Sequence, residues 1–254
     1  MSHNLEQVVE YLDRILDNSS YQDEFLNGLQ VDSGNKQILK VAAAVDSGLS
    51  VIQKAIDQKA DLLIVHHGIV DQTSKRITDI YGKKIQLLIN NGCSLYGSHL
   101  PLDGNMQVGN AVELAQLLDL QNIEPYFEID KKTLGIKASC KTTAKIEDFL
   151  PALSKLDGAI KPFILDFGPK EIKTVGIVTG SGSSAIRACA EGGIDLLISG
   201  EAKQAAYHNA KEQRVNTIFA GHYATETVGV KALLRCIAKD LQISTVFIDE
   251  PTGI

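Results

Sequence analysis

Ala60-Asp61-Leu62-Leu63-Ile64-Val65-His66-His67-Gly68 is the stretch on which the reading of this chain turns. Leu62 to Val65 is an unbroken apolar run with the length of a buried strand, and Gly68 bounds it. Two imidazoles therefore emerge together where a strand gives way to a loop. In open α/β sheets that edge is where ligands bind. Neutral imidazole is also the commonest protein metal ligand.

Outward from this run the chain alternates between strand and helix. Strand-like segments lie near 41–45, 62–66, 94–97, 134–140, 175–179, 195–199, 216–220 and 244–249. Helical periodicity fills gaps near 48–59, 83–90, 108–118, 145–156, 183–191 and 227–241. An N-terminal helix presents Leu5, Val8, Val9, Leu12, Ile15 and Leu16 on one face. Such alternation predicts βαβ units and largely parallel sheets, an α/β fold.

The chain also repeats itself. Residues 41–68 align without a gap onto 175–202, so that Val-Ala-Ala-Ala-Val-Asp-Ser-Gly faces Val-Gly-Ile-Val-Thr-Gly-Ser-Gly. Ala60-Asp61-Leu62-Leu63-Ile64 matches Ile194-Asp195-Leu196-Leu197-Ile198, placing Gly200 and Glu201 opposite His66 and His67. The next strand, Leu95-Tyr96-Gly97-Ser98-His99, matches Ile218-Phe219-Ala220-Gly221-His222. Each copy carries a carboxylate four residues past its histidine, Asp103 and Glu226. The expected organisation is two similar α/β halves, 1–124 and 125–254, whose strand ends face one shared crevice. The polar segment 121–133, with Pro125, reads as their linker.

Bulk properties narrow the class. A chain of 254 residues with 44% hydrophobic and 22% charged residues has a normal globular core. No apolar run is long enough to span a bilayer, and the first residues lack the basic and apolar regions of a secretory signal. A net charge of −6 argues against nucleic acid and anionic membranes as general partners. Cys93, Cys140, Cys189 and Cys236 are scattered, with no Cys-x-x-Cys pair. They read as thiols of a reducing compartment, and the expected location is cytoplasmic.

The histidines carry the chemistry. His66 and His67, His99 with Asp103, and His222 with Glu226 all follow predicted strands. His222 and Glu226 have i, i+4 spacing at the entry to a helix, so they can face the same way. Pro101 makes the 99–103 segment a loop or the very start of a helix. A set of imidazoles and carboxylates suits zinc, manganese, iron or a similar divalent ion. Five or six such ligands allow two ions, which can together activate water. His3 and His208 read as ordinary surface or hydrogen-bonded histidines. A second motif, Gly180, Gly182 and Ala185 in Thr179-Gly180-Ser181-Gly182-Ser183-Ser184-Ala185, has dinucleotide-fingerprint spacing. Asp195, the following acid, opens a strand rather than ending one. The favoured reading is a tight strand-to-helix turn whose N–H groups touch a phosphate.

With these residues assembled, the chain resembles the Nif-three-like family, whose bacterial members are labelled homologues of a type 2 GTP cyclohydrolase I or dinuclear metal centre proteins. The resemblance spans the chain and rests on several motifs. In the first half these are Asn27-Gly28-Leu29-Gln30-Val31, His66-His67-Gly68 and Tyr96-Gly97-Ser98-His99-Leu100-Pro101-Leu102-Asp103. In the second they are Thr179-Gly180-Ser181-Gly182, Ser199-Gly200-Glu201 and Gly221-His222-Tyr223-Ala224-Thr225-Glu226. It implies two divalent metal ions per chain, held by His66, His67, Asp103, His222 and Glu226. It places His99 and Glu201 beside them for proton transfer or for contact with the ligands. It also implies a toroidal homohexamer and a short form without an inserted domain. The expected activity is hydrolysis of a nucleotide-like or small phosphorylated substrate, with GTP the labelled one. The alternative is a non-catalytic metal-binding ring that docks partners.

Overall fold

The computed structural model describes residues 3–73, 76–129 and 131–254. It divides into two compact units: Met1–Leu102 with Val230–Glu250, and Asp103–Gly229 with Pro251–Ile254. Both are mixed α/β.

The first unit opens with helix α1 (Leu5–Leu16), which starts at a capping box. The Asn4 side chain accepts from the Gln7 N–H, and the Gln7 side chain accepts from the Asn4 N–H. The predicted apolar face is buried at Leu5, Val8, Leu12 and Leu16. Tyr11 joins it, because its hydroxyl finds a partner in Asp240 at 2.7 Å. Strands β1 (Gly28–Val31), β2 (Lys40–Asp46), β3 (Leu62–His67) and β4 (Ser94–Gly97) follow. β2, β3 and β4 are parallel, and β1 lies antiparallel on β4. Leu62 to Val65 are wholly buried, as an inner strand covered on both faces must be. Helix α2 (Leu49–Asp57) packs Val51, Ile52 and Ala55 over Ala42, Ala44 and Leu63, and α3 (Asp79–Asn90) adds Leu88 to the same cluster.

The second unit holds helix α4 (Asn110–Leu117) and strands β5 (Gln121–Ile129), β6 (Lys132–Ala144), β7 (Phe163–Leu165), β8 (Ile172–Val178), β9 (Leu196–Ser199) and β10 (Asn216–Phe219). Across the sheet the order is β5-β6-β8-β9-β10-β7. β8, β9 and β10 are parallel, and the outer strands are antiparallel. The polar segment expected as a linker is therefore β5 and the start of β6. As an edge strand β5 pairs on one side only, so it tolerates polar residues and Pro125, the features that read as a linker in the sequence. One face of the sheet packs Val175, Ile177 and Ile198 against Ala111 and Leu114 of α4. The other carries α5 (Ile186–Glu191) and α6 (Gln204–Gln213), which contribute Ile186, Cys189, Ala206 and Ala210.

Helix α7 (His222–Cys236) begins in the second unit and ends in the first. Strand β11 (Ser244–Phe247) then pairs parallel with β2 and completes the order β11-β2-β3-β4-β1.

The internal repeat is present in the ladders. Val41 pairs with Leu62 in the first unit and Val175 with Leu196 in the second. Asp61 accepts the N–H groups of Leu39 and Lys40 at 2.8 and 2.9 Å, while Asp195 accepts those of Lys173 and Thr174 at 2.9 and 3.0 Å. Each aspartate thus anchors the start of the preceding strand. The third pair of strands needs a correction. Leu62 lies opposite Ser94, and Leu196 lies opposite Asn216, so Leu95 corresponds to Thr217 rather than Ile218. Aligning by histidine hid one extra residue before His222. Gly221 takes it up at a φ of 103°, a conformation that glycine accepts without strain.

Candidate metal centre

His66 and His67 end β3, and His99 follows β4, so parallel pairing brings the three together. One ring nitrogen from each lies within 4.8 Å of the others. The ring centroids are 4.7 Å (66–67), 5.1 Å (66–99) and 5.5 Å (67–99) apart. His66 is fully buried and the other two are half-buried. Every Nδ1 is engaged by an oxygen. His66 meets the Ser98 carbonyl at 3.0 Å, His67 meets Asp46 Oδ1 at 2.9 Å, and His99 meets Asp23 Oδ1 at 2.8 Å. A carbonyl or carboxylate oxygen can only accept, so Nδ1 carries the hydrogen, and in the neutral ring Nε2 carries the lone pair. Metal-ligating histidines are commonly oriented by this outer shell of oxygens.

Asp23 is the most engaged of these oxygens. Its side chain is 1% exposed. It also accepts from the Leu100 N–H and the Asn27 amide, both at 2.9 Å. Burial opposes its ionisation, yet the hydrogen bond from His99 and the others bring it down to about 2. Asn27 accepts the His99 N–H at 2.8 Å. Phe25 lays its ring edge-on to His99, with the centroids 4.9 Å apart.

The second unit holds Asp103, Glu201, His222 and Glu226. The first turn of α7 carries the i, i+4 pair, and His222 Nε2 lies 3.1 Å from Glu226 Oε1. His222 Nδ1 lies 3.0 Å from Glu201 Oε2. The Ser181 hydroxyl holds the other Glu201 oxygen at 3.0 Å. His222 is clamped between two carboxylates, and the bond to buried Glu226 raises its pKa to about 9 against the cost of burial. The bond from His222 lowers Glu201 in turn. Asp103 ends a single helical turn, Leu100–Asp103, which matches the helix start allowed around Pro101. Thr179 and Asn110 both donate to Asp103 Oδ1, at 3.1 and 2.9 Å. Oxygens of Asp103 and Glu226 lie within 4.8 Å of each other. Two carboxylates this close favour a cation or a shared proton.

The glycine turn belongs to this acidic set. Gly180 sits at a φ of 57°, and a Cβ there would run into Glu226 Oε1. Its N–H donates to Thr225 Oγ1 at 3.1 Å, and its carbonyl accepts from Gly200 and Glu201, both at 3.0 Å. The turn therefore seats carboxylates and spends its polar groups within the protein. Asp195 is engaged with the start of β8, which removes it as a ribose partner.

The first unit's donors suit a transition-metal ion: three imidazoles with fixed tautomers converge there. In the second unit two carboxylates flank one imidazole, His222. Sequence reasoning missed Asp23, Asp46 and Asn27. Asp46 lies opposite His67 in the β2–β3 register, and aligning those strands would have found it. Asp23 has no periodic signal. His3 bonds the Leu241 carbonyl at 3.0 Å, and His208 is exposed on α6, so neither belongs to the site.

The comparisons agree over the full length. The Duf34/NIF3 (NGG1p interacting factor 3) family model matches residues 3–253. A GTP cyclohydrolase 1 type 2 homolog of Pyrococcus abyssi is 40% identical over 98% of this chain and 99% of its own. One from Halobacterium salinarum is 38% identical over 93% and 94%. The crystal structure of TTHA1606 from Thermus thermophilus superposes with a TM-score of 0.90 at 35% identity, covering 99% of this chain and 100% of that one. A fold, a set of donors and a family model that all run the length of the described chain lead to one assignment: this chain belongs to the Duf34/NIF3 family.

Proposed function

We propose that this protein is a dinuclear metal-dependent hydrolase of a nucleotide-like or small phosphorylated substrate. The ligands are His66 and His67 of the first unit and Asp103, His222 and Glu226 of the second. The observation that carries this reading is the convergence of His66, His67 and His99 with every Nδ1 fixed on an oxygen. When bound, a pair of divalent ions lowers the pKa of water and polarises a substrate oxygen.

The chain's own residues do the rest. Asp46 and the Ser98 carbonyl aim His67 and His66, and Glu201 aims His222. His99 accepts a proton at Nε2 while Asp23 stabilises the resulting imidazolium through Nδ1. Glu201, kept ionised by His222 and held by Ser181, accepts a proton in its turn. Four free cysteines support a reducing, cytoplasmic setting. A ring of six chains is the assembly that family membership favours, and native mass spectrometry tests it.

The experiment is metal analysis of reconstituted protein, followed by a nucleotide and phosphoester screen with His222→Ala as control. Two ions per chain and loss of turnover in the variant are expected. Fewer than one ion per chain, or equal turnover in the variant, overturns the reading. Full metal content with no turnover on any substrate points to the partner-docking scaffold instead.

A further inference from the structure

The first unit has a cavity of about 450 Å³, lined by Asp23, Phe25 and Asn27, which hold His99, and within the ~300–1,000 Å³ range of small-molecule sites. Tyr21, Phe25 and Leu26 give it aromatic and apolar wall, and Gln22 and Gln72 give it carboxamides, the Gln72 amide also reaching the Asp23 carbonyl at 3.3 Å; the Asn27 amide is spent on Asp23 and the His99 N–H. Leu26 is 44% exposed, an apolar side chain left open at the rim. Its described lining has one carboxylate, Asp23, and no lysine or arginine. Its wall is also the mount of His99. Asp23 holds the His99 ring, Asn27 holds the His99 N–H, and Phe25 packs against the ring.

We propose that this cavity is a substrate subsite for a neutral planar heterocycle of the nucleobase class, and that it places such a ring next to His99. The proposal rests on the hydrolase reading and names the non-reacting part of its substrate. Aromatic faces take a flat ring by stacking and are tolerant of its identity. A carboxamide offers a donor and an acceptor side by side, which matches the adjacent donor and acceptor on a base edge. A phosphate is the wrong occupant here, because no cation among the described residues lines it and the Asp23 carboxylate repels it. The substrate's anionic groups therefore lie outside this cavity.

The test is calorimetric titration of metal-free, full-length protein with guanosine, adenosine, inorganic phosphate and ribose 5-phosphate. Removing the metal separates this idea from the hydrolase reading, because base binding here needs no ion. At least one nucleoside should bind, and phosphate and ribose 5-phosphate should not. Gln22→Ala and Gln72→Ala change exposed side chains outside the metal set. Each should weaken nucleoside binding about tenfold with metal content unchanged, and saturation should move the 15N resonances of the His99 ring. Failure of both nucleosides to bind overturns the subsite. So does phosphate binding as tightly as nucleoside, binding unaffected by both substitutions, or a His99 signal that does not move.

Discussion

A single missing methyl group keeps the acidic half of the site open. Gly180 combines a left-handed φ of 57° with contact to Glu226 and His222, so Gly180→Ala meets two penalties together. The backbone cost alone is about 1–3 kcal/mol. A lower melting temperature and reduced metal content are expected, read by calorimetry and elemental analysis; wild-type values for both would mean the turn has no part in the site. At His222 the issue is a proton. Its pKa is raised from 6.5 to about 9, first by Glu226. A raised pKa stabilises the metal-free fold fully below pH 6.5, and that stabilisation is lost as pH rises through about 9. Metal uptake runs the other way, because the ion must displace the proton. Affinity should therefore climb with pH and level off above about 9. Titrations in two buffers of different ionisation heat should report roughly one proton released per chain near neutral pH. No proton release would mean His222 is not a ligand.

Strand entry is the matching problem one scale up. Asp61 and Asp195 each receive two backbone N–H groups at the start of the previous strand, and the spacing is the same in both units. Asp61→Ala and Asp195→Ala should each cost about 1–3 kcal/mol by leaving those donors unpaired. The loss should show as faster amide exchange at Lys40 or Thr174. Metal content should stay unchanged, since the ligands follow the opposite strand ends. The eight strand-like runs all coincide with strands because each is apolar or, like 134–140, alternates in polarity, and those are the patterns a sequence displays. β1, β5 and β7 were invisible for a related reason. They lie at sheet edges, where burial is partial and the polar pattern resembles a loop. Asp23 was invisible as well, since a loop residue that meets its partner 76 positions away leaves no local trace.

At the scale of the molecule, the proposed ions would add to the stability. An ion that binds only the folded state at one hundred times its dissociation constant contributes about 2.7 kcal/mol. For a chain of this size, chelation should then lower the melting temperature by about 5–10 °C. Calorimetry with and without chelator measures it, and no shift would argue against tight metal binding by the native state.

The return of residues 230–250 to the first unit also has a bearing on how the protein is made. Synthesis delivers all of the contiguous span 103–229 before Ser244–Phe247 exists to pair with β2. The sheet of the unit that is begun first is therefore closed only after the bulk of the other unit has been made. Until Ser244–Phe247 is made, the nascent chain carries a naked β2 edge, the kind of edge that recruits foreign strands. A ribosome that stalls before Ser244 would leave the span 103–229 made and the first unit without its border strand.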